Sequence, residues 1–192
     1  MCDSAAGYGA NHVWRVQVTT GTDLEGDGTS EPPVLTSYFT PHIIAVAATN
    51  GPVAKTHALD TRGNEWITLT GENFGPKGLM MEGFYGKGGA RSWYCAKDCE
   101  VTVANTQAKC KTRAGVGENQ VWKVGVENHE WNGGASAIEA ASSTSYANPT
   151  ITVIANCQEP SWPCKGNTKE FSTYGEQDVF VSGNNFGPIP DP

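Results

Sequence analysis

Cations are scarce in this 192-residue sequence: 13 Lys and Arg stand against 20 Asp and Glu, a formal net charge of −7. A nucleic-acid surface needs clustered cations to displace the counterions condensed on phosphate. No such cluster is present, so no nucleic-acid partner is expected. Long hydrophobic runs are missing as well. No apolar stretch approaches the ~18–20 residues that cross a bilayer as a helix, and no membrane insertion of this segment is expected. Met1 is followed at once by Cys2 and Asp3, without the basic and apolar regions of a signal peptide. That pattern fits a fragment of a longer protein as well as a cytosolic one.

Signatures of catalysis and of metal binding are also lacking. No G-x-S-x-G elbow or Cys/His arrangement for nucleophilic attack occurs. The glycines around Lys87 lack phosphate-loop spacing. His12, His42, His57 and His129 are scattered and there is no C-x-x-C pair, so no zinc site is expected. The one metal candidate is a weak one: Asp23, Glu25 and Asp27 resemble the front of a calcium loop. Counting twelve positions from Asp23 puts Val34 where a bidentate Glu belongs. No N-x-[ST] sequon occurs. The expectation is a protein that is not an enzyme and uses no cofactor.

What is present is punctuation. The 23 Gly and 11 Pro exceed ordinary usage but stay below the ~25–30% that marks disorder. Between them, short runs of Thr, Val, Ile and aromatic residues alternate with polar ones, and no stretch sustains a helical apolar stripe. Short alternating runs bounded by turn residues predict an all-β sandwich. Trp14, Val16 and Val18 share one strand face while Arg15 and Gln17 share the other, and Trp122, Val124 and Val126 repeat the pattern. Each Trp is therefore expected to fill a core.

That repetition extends along the chain. Cys2, Gly7, Gly9, Asn11, Trp14, Tyr38 and Pro41 recur as Cys110, Gly115, Gly117, Asn119, Trp122, Tyr146 and Pro149, each pair 108 positions apart. Gly63, Gly71, Asn73, Phe74 and Gly75 recur 112 positions later as Gly175, Gly183, Asn185, Phe186 and Gly187. Residues 1–40 thus read as the back part of a first unit, 41–148 as a complete unit, and 149–192 as the front part of a third. The terminal parts together lack the equivalent of about 77–109. That gap favours a window cut from a longer tandem array. The other possibility is a polymer in which one chain's front part completes the next chain's back part.

The complete unit resembles the IPT/TIG domain, an immunoglobulin-like sandwich of plexins, scatter-factor receptors, Rel-type transcription factors and large cell-surface proteins. The residues that carry the resemblance are Pro41, Ile43 and Val46, repeated as Pro149, Ile151 and Ile154. They are followed by Gly71, Asn73, Phe74 and Gly75, repeated as Gly183, Asn185, Phe186 and Gly187, and by the closing Tyr38 and Tyr146. The Cys-containing strand and the Gly-x-Gly-x-Asn-x-Val-Trp pattern look like units of very large extracellular proteins of protists and algae. The glycines and Asn of G-x-N-F-G are expected to take the positive φ of a tight turn, with Phe74 or Phe186 folding back as an apolar plug. The resemblance implies a structural role: modules stacked into a rod, fibre or surface filament whose partners are neighbouring copies. The rival expectation is an adhesin or receptor stalk binding glycan or protein through Trp93, Tyr94 and Trp131.

Six cysteines in a β-rich chain lean towards an oxidising, extracellular compartment. A two-residue turn at Ala104 and Asn105 would set Val103 opposite Thr106, Val101 opposite Ala108, and Cys99 opposite Cys110 for a disulfide, with Cys95 as the alternative partner. Cys157 and Cys164 are expected to pair locally, and Cys2 to find its partner upstream. The joins between units are short. Phe39 and Thr40 lead into Pro41, and Ala147 and Asn148 into Pro149, too little chain for a flexible tether. Successive units are expected to advance a stiff rod by roughly 35–45 Å each.

Overall fold

A computed structural model describes residues 3–20, 23–28, 32–48, 57–87, 93–126, 143–157 and 171–189, with side chains except at 17–20, 23–27 and 157. The protein is all-β: the described residues form strands and turns without a helix. Strands β5 (His42–Ala48), β6 (Trp66–Glu72), β10 (Gln107–Lys111) and β9 (Lys97–Val103) form one antiparallel sheet in that spatial order. A second is ordered β12 (Ser143–Thr144), β11 (Gln120–Gly125), β7 (Glu82–Gly86), β8 (Trp93–Cys95). All eight strands come from residues 42–144. Three two-stranded sheets lie outside that stretch: β1 (His12–Val13) with β4 (Leu35–Thr36), β2 (Val16–Thr20) with β3 (Asp23–Gly28), and β13 (Thr150–Cys157) with β14 (Asp178–Asn184).

Alternation builds the core. On β6, Ile67, Leu69 and Gly71 point inward while Thr68 and Thr70 are more exposed, as a strand with one covered face requires. Val101, Ala108 and Cys110 join them from the same sheet, and Tyr85 and Trp122 face them from the other. Leu59 and Phe74 close the ends; both are essentially inaccessible to solvent. Burying a side chain such as Leu69 contributes about 1.5–3 kcal/mol. Tyr146 joins the two halves, because Leu59 N–H donates to Ser145 O and Ala147 N–H donates to Leu59 O on either side of it.

Cys99 and Cys110 are bridged across β9 and β10. In the loop-entropy picture a closure of this size contributes roughly 2–3 kcal/mol. Cys95 is exposed and free. The turn that sets up this pairing differs from the expected one. Val103 lies opposite Gln107, not Thr106, so the loop has three residues, with Asn105 at φ +62°. A register shift between Gln107 and Ala108 then restores Val101 opposite Ala108. The additional turn residue is absorbed by a bulge rather than passed to the cysteines.

The expectation that both tryptophans fill a core holds for Trp122, which is 5% exposed, and fails for Trp14, which is 49% exposed. Val16 is exposed as well. Trp122 is covered by Tyr85 on β7, and the described residues among 3–40 form no counterpart of β7. Phe186 differs from Phe74 for a similar reason. Phe74 is wholly buried under its own sandwich, whereas Phe186 is 51% exposed beside a lone strand pair.

Candidate functional site

The geometry that recurs most often lies where the Gly-x-Gly turn, the closing tyrosine and the G-x-N-F-G turn converge. Tyr146 N–H donates to Gly117 O (2.9 Å) and Tyr38 N–H donates to Gly9 O (3.0 Å). Tyr146 Oη donates to Arg113 O and Tyr38 Oη to Ala5 O, both at 2.6 Å. Trp122 Nε1 donates to Thr144 Oγ1 (2.9 Å) and Trp14 Nε1 to Thr36 Oγ1 (3.0 Å). Asn119 N–H reaches Ser145 Oγ and Asn11 N–H reaches Ser37 Oγ. Each of these bonds in residues 3–38 has its partner 108 positions on. The turn glycines Gly9 and Gly117 adopt φ of +90° and +110°, where a side chain is strained.

The second offset is equally regular. Gly71 and Gly183 pack against their first strands so closely that a Cβ would lie on His42 O and on Thr150 O respectively. The same Cβ would be 2.5 Å from Phe74 Cζ, or 2.8 Å from Phe186 Cζ. Neither glycine has positive φ; the left-handed residues of the motif are Asn73 and Gly75, Asn185 and Gly187. The expectation for Gly71 is corrected accordingly. Its small size admits the aromatic ring and the neighbouring strand, while backbone conformation restricts Gly75.

These turns meet across the joins. Asn73 Nδ2 donates to Thr40 O (3.4 Å) and Asn185 Nδ2 donates to Asn148 O (3.2 Å), so each motif asparagine clamps the carbonyl just before a join proline. A Cβ on Gly75 would come 3.2 Å from Tyr8 Cβ, and one on Gly187 would strike Val116 Cγ1. Tyr8 and Val116 are the middle residues of the two Gly-x-Gly turns. At the second join, Val116, Tyr146, Ala147, Pro149 and Phe186 line a cleft of about 360 Å³. At the first, Phe39 is 83% exposed and Pro41 is partly covered.

An aromatic cluster sits beneath the Gly-x-Gly turn of the complete sandwich. Tyr85 stacks on Trp122 with centroids 4.4 Å apart and on Tyr94 at 5.2 Å, and Tyr94 meets Tyr146 edge-on. Tyr85 and Tyr146 share a hydroxyl hydrogen bond of 2.7 Å. Burial pushes the Tyr85 phenol above its ordinary 10.0, and burial together with the Tyr85 hydrogen bond pushes Tyr146 well above it. Sequence reading missed this cluster. It named Tyr94 only as a contact of the rival binding reading; cross-strand pairing with Tyr85 stacks the two rings. The cue available in the sequence was the phenylalanine–tyrosine pair flanked by Gly83 and Gly86, since Gly83 leaves room for the disulfide sulfurs.

Outside the cluster, charge is local. Hydrogen bonds from the Arg62 side chain and backbone hold the Asp60 carboxyl at about 2, below its ordinary 3.8. Lys109 and Lys111 lie over Trp66, and Lys123 over Trp93, at 4.5–5.0 Å from the ring centroids. Asp23, Glu25 and Asp27 belong to β3, whose backbone is an extended strand paired with β2; their side chains lie outside the described set. So do Cys2, Cys164, Trp131 and the Cys157 side chain. Among the described residues no three His, Cys, Asp or Glu side chains group as metal ligands, and no helix is long and apolar enough to cross a membrane. Compared with protein-family models, with curated proteins and with solved structures, the chain gives no match in any of the three.

Proposed function

We propose that this chain is a stretch of a non-enzymatic, extracellular structural protein whose immunoglobulin-like modules, of IPT/TIG type, stack in tandem into a rod, fibre or surface filament. The observation that carries this reading is the join made twice with one set of contacts: Asn73 on Thr40 O and Asn185 on Asn148 O. A carbonyl held by a side chain, one residue before a proline of fixed φ, leaves the connector little freedom. Gly75 against Tyr8 and Gly187 against Val116 add a packed contact beside each clamp. The role is mechanical: sandwich cores and the Cys99–Cys110 bridge resist unfolding, and short clamped joins transmit direction. The bridge is compatible with an extracellular location. The partners are neighbouring copies of the module.

The rival reading, an adhesin or receptor stalk that binds glycan or protein through exposed aromatics, draws less support because Tyr94 is stacked on Tyr85. Electron microscopy of the purified chain without added ligand separates the two. Rods or filaments are expected. Dispersed particles, together with glycan binding that is lost in Trp93→Ala, would favour the rival.

A further inference from the structure

The frame around Trp14 and the frame around Trp122 have the same hydrogen bonds, and the second contains two rings that the first lacks. In the filled frame, Arg113 N–H donates to Tyr85 Oη at 2.7 Å. Tyr94 Oη accepts from Val116 N–H and donates to Val116 O, each at 3.1 Å. Tyr85 also covers the face of Trp122. These tyrosines are direct cross-strand partners on β7 and β8, so one hairpin delivers both phenols side by side.

In the open frame, Ala5 and Tyr8 stand where Arg113 and Val116 stand, and Tyr38 and Trp14 stand where Tyr146 and Trp122 do. Tyr38 Oη already holds Ala5 O, as Tyr146 holds Arg113 O. Among the described residues no phenol reaches the N–H of Ala5 or of Tyr8. Over them lies a cleft of about 930 Å³ whose lining includes Ala5, Gly7, Tyr8, Trp14, Tyr38 and Phe39. Gly7, like Gly115, leaves the floor of the frame without a Cβ; a Cβ at Gly115 would meet both Tyr94 and Tyr146, whereas one at Gly7 would meet Tyr38 alone.

We infer that this cleft is a binding site for a β-hairpin carrying a cross-strand tyrosine pair, the chemistry of β7 and β8 of this same chain, supplied from outside residues 3–40. One tyrosine covers Trp14 and accepts from Ala5 N–H; the other bonds the peptide of Tyr8. The occupant adds strands beside β1, whose counterpart β11 pairs with β7. The cleft accepts such a hairpin whether or not the modules go on to build a filament, so absence of filaments leaves this inference standing.

The test is fluorescence anisotropy of a labelled synthetic peptide of residues 80–98, with Cys95→Ser, titrated with the full 192-residue chain. A second peptide carries Tyr85→Ser and Tyr94→Ser, and a second protein carries Trp14→Ala. Saturable binding is expected, weakened at least about tenfold by either change, in line with the loss of two aromatic contacts. The variant peptide leaves the protein unaltered, so its result does not depend on how Trp14→Ala folds. No saturable binding, or equal binding of the two peptides, overturns the inference. So does Trp14-dependent self-association of the chain that the peptide fails to compete, which would mean that a second copy covers this face by other contacts.

Discussion

Trp14 and Trp122 donate the same indole hydrogen bond to a threonine 22 residues further on, at 3.0 and 2.9 Å, yet one is 49% exposed and the other 5%. Local sequence therefore sets the hydrogen bond, and a strand distant in sequence sets the burial. Trp122→Ala removes a ring stacked on Tyr85 and is expected to cost about 3–5 kcal/mol. Trp14→Ala is expected to cost less, about 1–2 kcal/mol, since about half of its surface stays in water. Chemical denaturation of the two variants checks the contrast, and equal losses would contradict it.

Gly71 and Gly75 are both required, for different reasons. A methyl group at 71 would be driven into His42 O and the Phe74 ring, while one at 75 would combine a φ of +87° with a side chain 2.8 Å from Leu79. Gly71→Ala is expected to lower stability by about 2–3 kcal/mol through overpacking. Phe74→Leu on that background should recover part of the loss by removing the ring. The same Leu change on Gly75→Ala should recover none, because backbone strain does not depend on Phe74. Thermal melts of the four variants read this directly.

The clamps are expected to govern direction more than stability. Asn185→Ala removes one exposed hydrogen bond, worth about 0.5–1.5 kcal/mol, while the cores on either side stay intact. Dye-pair distances measured across residues 147–149 should broaden while the melting temperature of the complete sandwich hardly moves. An unchanged distance distribution would show that packing of Gly187 on Val116 suffices.

Alkali should unfold the sandwich. The phenols of Tyr85 and Tyr146 are held above their ordinary 10.0 in the fold, chiefly by burial. An acid whose folded value is raised stabilises the fold fully below its unfolded value and loses that contribution as pH climbs past it. Stability is therefore expected to be flat up to about pH 10 and to fall beyond it. In a spectrophotometric titration Tyr85 and Tyr146 should ionise only together with loss of structure. Ionisation of Tyr85 and Tyr146 near pH 10 with the fold intact would contradict the burial of the cluster.

Much of this was legible in the chain itself. Period-2 alternation at Ile67 and Leu69 and the turn residues around them are local signals, and they predicted β-structure correctly. The Cys99–Cys110 pairing was also legible, because a hairpin places residues at symmetric distances from its turn; the bulge after Gln107 was not, because it depends on how Asn105 adopts positive φ. The folded-back ring of Phe74 was foreseen, but the role of Gly71 was misread, since the sequence does not show that the neighbouring strand and that ring both close on position 71. The stacking of Tyr94 on Tyr85 was not legible for a related reason: it follows from the register of β7 against β8. The exposure of Trp14 follows from the lack of a covering strand among the described residues of 3–40, and a face read from alternation alone is silent about its cover.

Small-angle X-ray scattering on chains in which residues 41–148 are repeated once, twice and three times before 149–192 tests the stacked-rod account most directly. Clamped joins predict that the maximum dimension grows linearly, by roughly 35–45 Å for each added module, with a cross-section that stays constant. Growth that follows a flexible chain, or modules that collapse into one compact particle, would contradict it.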